Sequence, residues 1–131
     1  MLENDLRSTR GGDNVLTLWG KRILVVEDDP VIAVDYRFQL EGIGALQAFA
    51  PSNKRALAYL ETHTIDAAII DYHLADGNCT PVLRLLVALH VPFVVISGDT
   101  FGVDDVPPGA PLLSKPITAV DVCQALSAML H

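Results

Sequence analysis

The chain has 131 residues, the size of about one domain, and half of them are hydrophobic against 19% charged, which excludes a disordered or purely solvating chain. Sixteen Asp and Glu oppose nine Lys and Arg for a net charge of −7, so no positive excess exists to bind nucleic acid nonspecifically or to hold the chain on an anionic membrane. Cys79 and Cys123 are too few for a disulfide framework, the N-terminus has no apolar leader and no apolar run reaches bilayer length; the sequence predicts a cytoplasmic chain with reduced thiols.

Residues 1–20 carry Gly11-Gly12, many small polar residues and no sustained apolar period, and read as a flexible N-terminal extension ahead of a domain spanning 21–131. Its end, Val15 to Trp19, is apolar enough to dock on the domain or on a partner. Ile23 to Val26 is a continuous apolar run, the pattern of a parallel strand buried on both faces. Asp29-Pro30 supplies an N-cap and a first-turn proline for a helix to about Leu40, on which Val31, Val34 and Phe38 share one face. Leu46 to Phe49 is a weaker second strand, and Ser52 caps a helix ending near His63.

Ala67 to Ile70 is a third buried strand, followed by a loop containing Asp76-Gly77 and a helix from Pro81 to Leu89. Phe93 to Ile96 is the fourth strand, and Leu112-Leu113 a short fifth. Thr118 caps a last helix whose apolar face is Val122, Leu126, Met129 and Leu130. Such alternation means right-handed βαβ units in a parallel sheet. Between the fourth and fifth strands, Gly102, Pro107, Pro108, Gly109 and the Asp104-Asp105 pair predict a short or missing fourth helix.

Polar residues follow the apolar strand runs: Glu27, Asp28 and Asp29 after the first, Asp71 after the third, Ser97 after the fourth and Lys115 after the fifth. Open parallel sheets bind ligands at the carboxyl ends of their strands, and a strand order of 2-1-3-4-5 would bring Asp28 beside Asp71, flanked by Ser97 and Lys115. Clustered carboxylates at an open rim suit Mg²⁺, a hard cation that keeps waters and recruits a phosphoryl oxygen. A carboxylate facing both a metal and a lysine is equipped to attack phosphorus, and the Ser97 hydroxyl to hold the attached group. Asp28-Asp29 alone would be no more than a helix cap, Asp71 a turn former and Lys115 a surface lysine; their joint order is what carries chemistry. His63, His73, His90 and His131 stand singly without metal spacing, Cys79 and Cys123 read as small core or surface residues, and Asp99, Asp104 and Asp105 as a solvated acidic loop.

The stretches Ile23 to Pro30, Ile69-Ile70-Asp71, Val95 to Gly98 and Ser114-Lys115-Pro116 together resemble a two-component response-regulator receiver domain, over residues 21–131. The resemblance implies a CheY-like, flavodoxin-like three-layer α/β fold with a five-stranded parallel sheet. It implies Asp71 as phosphoacceptor, and Glu27, Asp28, Asp71 and the backbone carbonyl of His73 around Mg²⁺. Ser97 and Lys115 would bind the phosphoryl group, and Lys115-Pro116 would be a cis peptide. A sensor histidine kinase or histidine phosphotransfer protein would be the donor, and the domain would contribute to its own dephosphorylation. A narrower likeness joins Val91 to Gly98 and Leu74 to Gly77 to the stand-alone alphaproteobacterial receivers with a Pro-Phe-x-Phe-Ala-Thr-Gly stretch, although Ile-Ser-Gly replaces Ala-Thr-Gly here and Ile117 replaces the usual Phe.

The resemblance thus implies a single-domain response regulator, signalling through a protein partner or acting as a phosphate sink or relay. The face around the curtailed fourth helix, the fifth strand and the last helix is where partners, or a second copy in a homodimer, would bind. Leu112 stands where many receivers carry an aromatic switch, so the signal is expected to pass by ordering of the Gly98 to Ala110 loop. Two other readings remain: a pseudo-receiver that is not phosphorylated, to which Leu112 lends weight, and an aspartyl-phosphate hydrolase, which would need an Asp where His73 stands.

Overall fold

The apolar runs of the sequence are continuous because both faces of the sheet are covered. The structure is a computed structural model that describes residues 16–98, 106–107 and 109–130. In β1 (Arg22–Val26), Ile23 and Val25 face one core, while Leu24 and Val26 face the other. β3 (Ala67–Asp71) and β6 (Phe93–Ser97) alternate in the same way, with Ile69, Val94 and Ile96 on the first side and Ile70, Phe93 and Val95 on the second. The edges are β2 (Leu46–Ala50) and β7 (Leu112–Ser114). A separate hairpin, β4 (His73–Leu74) with β5 (Gly77–Asn78), leaves the end of β3. All pairings of the main sheet are parallel, in the order β2-β1-β3-β6-β7, which is 2-1-3-4-5 when its own five strands are counted.

α1 (Pro30–Gly42) and α4 (Ala119–Ser127) cover the first side, and α2 (Asn53–Thr62) and α3 (Thr80–Ala88) the second. Three caps fall where the sequence placed them: Asp29 accepts from the Val31 amide at 2.9 Å, Ser52 from Arg55 at 3.1 Å and Thr118 from Asp121 at 3.1 Å. None of the described residues between β6 and β7 is helical, as the breakers there predict. No helix among the described residues is long and apolar enough to cross a membrane.

Several local expectations need adjustment. The α1 face shared by Val31, Val34 and Phe38 points to solvent, with Phe38 80% exposed, and the core takes Tyr36 and Leu40 instead. α4 ends at Ser127, so Met129 and Leu130 pack half-buried from the turn beyond it. Within the stretch read as a tail, Leu16–Leu18 forms a 3-10 turn that inserts Leu18, fully buried, into the α1–α4 core. The rest of that tail up to residue 15, the loop acids Asp99, Asp104 and Asp105, most of the loop expected to order on signalling, and His131 lie outside the described residues.

Candidate phosphoryl-transfer site

Strand register assembles the site. Val26 pairs with Ile70, so the next residues, Glu27 and Asp71, leave neighbouring strands at the same height. Each strand runs one hydrogen bond past its apolar segment: the Glu27 amide donates to the Ala50 carbonyl at 3.0 Å, and the Tyr72 amide to that of Ile96 at 2.8 Å. Ser97 pairs with Ser114, and the Lys115 amide donates to the Ser97 carbonyl at 2.9 Å, which fixes where the lysine leaves β7. The Lys115-Pro116 peptide is cis.

The acidic run after β1 divides its work by direction. Glu27 continues the inward alternation of Ile23 and Val25 and is buried, whereas Asp28 is exposed at the rim and Asp29 caps α1. The Asp29 amide also donates to Glu27 Oε2 at 3.2 Å, steadying that side chain. Asp71 is buried, and one carboxylate oxygen from each of Glu27, Asp28 and Asp71 lies within 4.8 Å of the others. Lys115 Nζ stands 3.5 Å from Asp71 Oδ2.

Three carboxylates therefore face one ammonium, and the imbalance shows in Glu27. Burial, followed by its hydrogen bond to Asp71 and the Asp71 charge, pushes the Glu27 carboxyl up to about 8; the Asp29 amide and Lys115 offset this only in part. Without a further cation the pocket prefers a proton on Glu27. Hard oxygen donors at an open rim, short of positive charge, fit Mg²⁺.

Ser97 is fully buried at the end of β6. The His73 side chain is exposed, its ring edge-on to Tyr72 at 4.9 Å, and it is not among the carboxylates gathered at the rim. Leu112 is half-buried and packs with Val106 and Ala110 on the α2–α3 core. Both cysteines are buried, and burial pushes the Cys123 thiol up to about 12, which removes it as a nucleophile.

Three contributors escaped the sequence reading. Tyr36 is buried in the α1–α4 core, and burial first, then the Glu27 charge, raise its phenol, so it remains a neutral hydroxyl. Asp76 and Asn53 tie the hairpin after Asp71 to α2. The Asp76-Gly77 pair was the available signal for a tight hairpin, and Gly77 indeed has φ +124°.

No family model matches the chain, and no curated protein does. Solved structures do. The response regulator PhyR from Brucella abortus is 25% identical with a TM-score of 0.74; the match covers 90% of this chain and 51% of PhyR, so the chain spans about half of that protein. A CheY-like response regulator receiver domain protein from Methanospirillum hungatei is also 25% identical with a TM-score of 0.74, over 85% of this chain and 94% of that one. The receiver domain of the sensor histidine kinase PA1611 from Pseudomonas aeruginosa, with a magnesium ion coordinated in its active site cleft, is 21% identical with a TM-score of 0.70, over 83% and 98%. The chain has the CheY-like receiver fold that these structures share.

Proposed function

We propose that this chain is a receiver that accepts a phosphoryl group on Asp71 from a sensor histidine kinase or a histidine phosphotransfer protein. The observation that carries the reading is the convergence of Glu27, Asp28 and Asp71 within 4.8 Å, with Lys115 Nζ 3.5 Å from the acceptor carboxylate. Asp28, Asp71 and the His73 carbonyl would hold Mg²⁺ directly and Glu27 through water. When bound, Mg²⁺ supplies positive charge against the transferring phosphoryl oxygens. An Asp71 oxygen attacks phosphorus, the bond to the donor histidine nitrogen breaks, and that nitrogen keeps the electron pair and is reprotonated, leaving an acyl phosphate on Asp71. Lys115 pairs with the new dianion, and Ser97 donates a hydrogen bond to it and transmits its arrival towards β7. Hydrolysis of the acyl phosphate by water resets the domain. The Val91 to Gly98 stretch supports placing it with the stand-alone alphaproteobacterial receivers.

Phosphorylation with acetyl phosphate or phosphoramidate, read by intact-protein mass spectrometry, tests the assignment. Label should appear with Mg²⁺, vanish with a chelator, and be absent from Asp71→Asn. Label retained by Asp71→Asn would refute the acceptor, and an unlabelled parent under every donor would leave a pseudo-receiver.

A further inference from the structure

The loop that follows Asp71 is held from outside by α2. The hairpin β4–β5 turns through Ala75 and Asp76, and from this tip the Asp76 carboxylate reaches back to the start of α2. Its Oδ1 accepts from the Asn53 amide at 3.0 Å and from Asn53 Nδ2 at 3.3 Å, and its Oδ2 accepts from the Lys54 amide at 3.1 Å. Asn53 Nδ2 also donates to the Asn78 carbonyl at 2.8 Å, so tip and strand of the hairpin are both tied down. The amides hold the Asp76 carboxyl below the usual carboxylate range.

A helix cap alone does not account for this arrangement. Ser52 already caps α2 in the ordinary way, by accepting from Arg55. Asn53 is buried, and its Oδ1 is the one buried side-chain polar atom left without a hydrogen-bond partner among the described residues. A buried acceptor left unpaired is a cost, so stability alone disfavours an asparagine there. What Asn53 contributes is its Nδ2 contact with the hairpin.

The hairpin ladder shows what the tie controls. The Cys79 amide donates to the Tyr72 carbonyl at 2.9 Å, and antiparallel ladders alternate between bonded and non-bonded pairs. His73 and Asn78, the next pair, are therefore non-bonded, and their carbonyls point outward to opposite sides. The Asn78 carbonyl meets Asn53 on its side. The His73 carbonyl, two residues beyond Asp71, is directed away from β5 on the other.

We propose that Asp76 and Asn53 are positioning residues for Mg²⁺: by pinning the hairpin to α2 they set the direction of the His73 carbonyl towards the Asp28–Asp71 rim. The inference rests on the receiver reading above and adds residues that touch neither metal nor phosphoryl group. It is tested with the full chain by calorimetric Mg²⁺ titration, together with the His73 carbonyl carbon shift by NMR and the melting midpoint in EDTA. In D76A the Mg²⁺ Kd should rise on the order of tenfold, as for loss of an outer-shell partner, and the Mg²⁺-induced shift at His73 should shrink. Labelling at saturating Mg²⁺ should stay within about twofold of the parent, and D76N, which keeps one acceptor oxygen, should fall between. Where D76A does not fold, N53A is read in the same way. A variant that melts lower in EDTA yet binds Mg²⁺ as tightly as the parent overturns the inference alone. A parent that binds no Mg²⁺ overturns the receiver reading and this inference together.

Discussion

On the α2–α3 side of the sheet, the segment leaving Asp71 is closed into a hairpin, with Leu74 in the core and Asp76 and Asn78 hydrogen-bonded to Asn53. On the α1–α4 side, the segment leaving β7 borders a cavity of about 300 Å³ lined by Ile32, Tyr36, Ile96, Lys115 and Ala119 among others. One half of the site is thus fixed by hydrogen bonds, and the half that carries the lysine has room beside it. The proposed phosphoacceptor role would use both: a rim that presents oxygens in a set geometry, and a cation with room to shift when a dianion arrives. Changes that move the molecule from one condition to the other should separate metal affinity from phosphoryl chemistry.

The largest effect should come from the α1–α4 core itself, because part of it comes from outside the sheet-and-helix repeat. Leu18 is as fully buried as Leu83 on α3. Truncating either to Ala should cost about 2–5 kcal/mol of unfolding free energy in denaturant titrations. A loss at Leu18 below about 1 kcal/mol would mean that the domain starts at Lys21 after all, and that the two layers are unequal in depth.

Next in size is a pH effect confined to the acidic rim. Folding raises the Glu27 carboxyl from its ordinary 4.5 to about 8 in the metal-free protein. Stability contributed by protonated Glu27 is therefore full below about pH 4.5 and is lost as pH climbs through about 8. Relative to Glu27→Gln, the parent's melting midpoint in EDTA should fall by several degrees between these limits, and Mg²⁺ should reduce the fall by favouring the carboxylate. A parent and variant that run parallel across the range would remove Glu27 from the charge balance of the site.

The tight and roomy sides can also be compared by overpacking. Ala56 on α2 is fully buried, whereas Ala119 lines the cavity beside Lys115. Ala56→Leu should destabilise by about 1–3 kcal/mol, while Ala119→Leu should stay within about 0.5 kcal/mol of the parent in the same titration. Ala119→Leu should nonetheless slow labelling of Asp71, because it fills the space into which the Lys115 stem can move. Equal destabilisation at both alanines would show the cavity to be closed in solution.

Legibility followed the range of the interactions. Strands buried on both faces announce themselves as apolar runs, and the caps at Asp29, Ser52 and Thr118 sit next to the helices they start, so both were readable. The convergence of Glu27, Asp28, Asp71 and Lys115 needed strand order as well as sequence, and the order came from the βαβ alternation and the receiver resemblance. The orientation of α1 was not readable, because the helix is apolar on two faces and periodicity cannot choose between Val31-Val34-Phe38 and Tyr36-Leu40. Asp76 was missed for a different reason. Its partners lie 22 and 23 residues away, and a carboxylate capping a helix from another loop leaves no local pattern.

The smallest effect concerns how Leu18 is kept in place. The Thr17 hydroxyl lies 2.8 Å from the Ser127 hydroxyl at the last residue of α4 and 3.3 Å from the Ser127 carbonyl, and Ser127 is fully buried. Thr17→Val keeps the shape of the side chain and removes the hydroxyl, so it should cost about 1 kcal/mol. Ser127→Ala should cost a similar amount, and the double variant clearly less than the sum, because each single change removes the bond between the two hydroxyls. Additive losses would mean that the hydroxyl pair does not couple the N-terminal turn to α4. Because α4 also borders the cavity beside Lys115, a non-additive result would make the residues before β1 part of the frame that bounds the lysine-bearing half of the site.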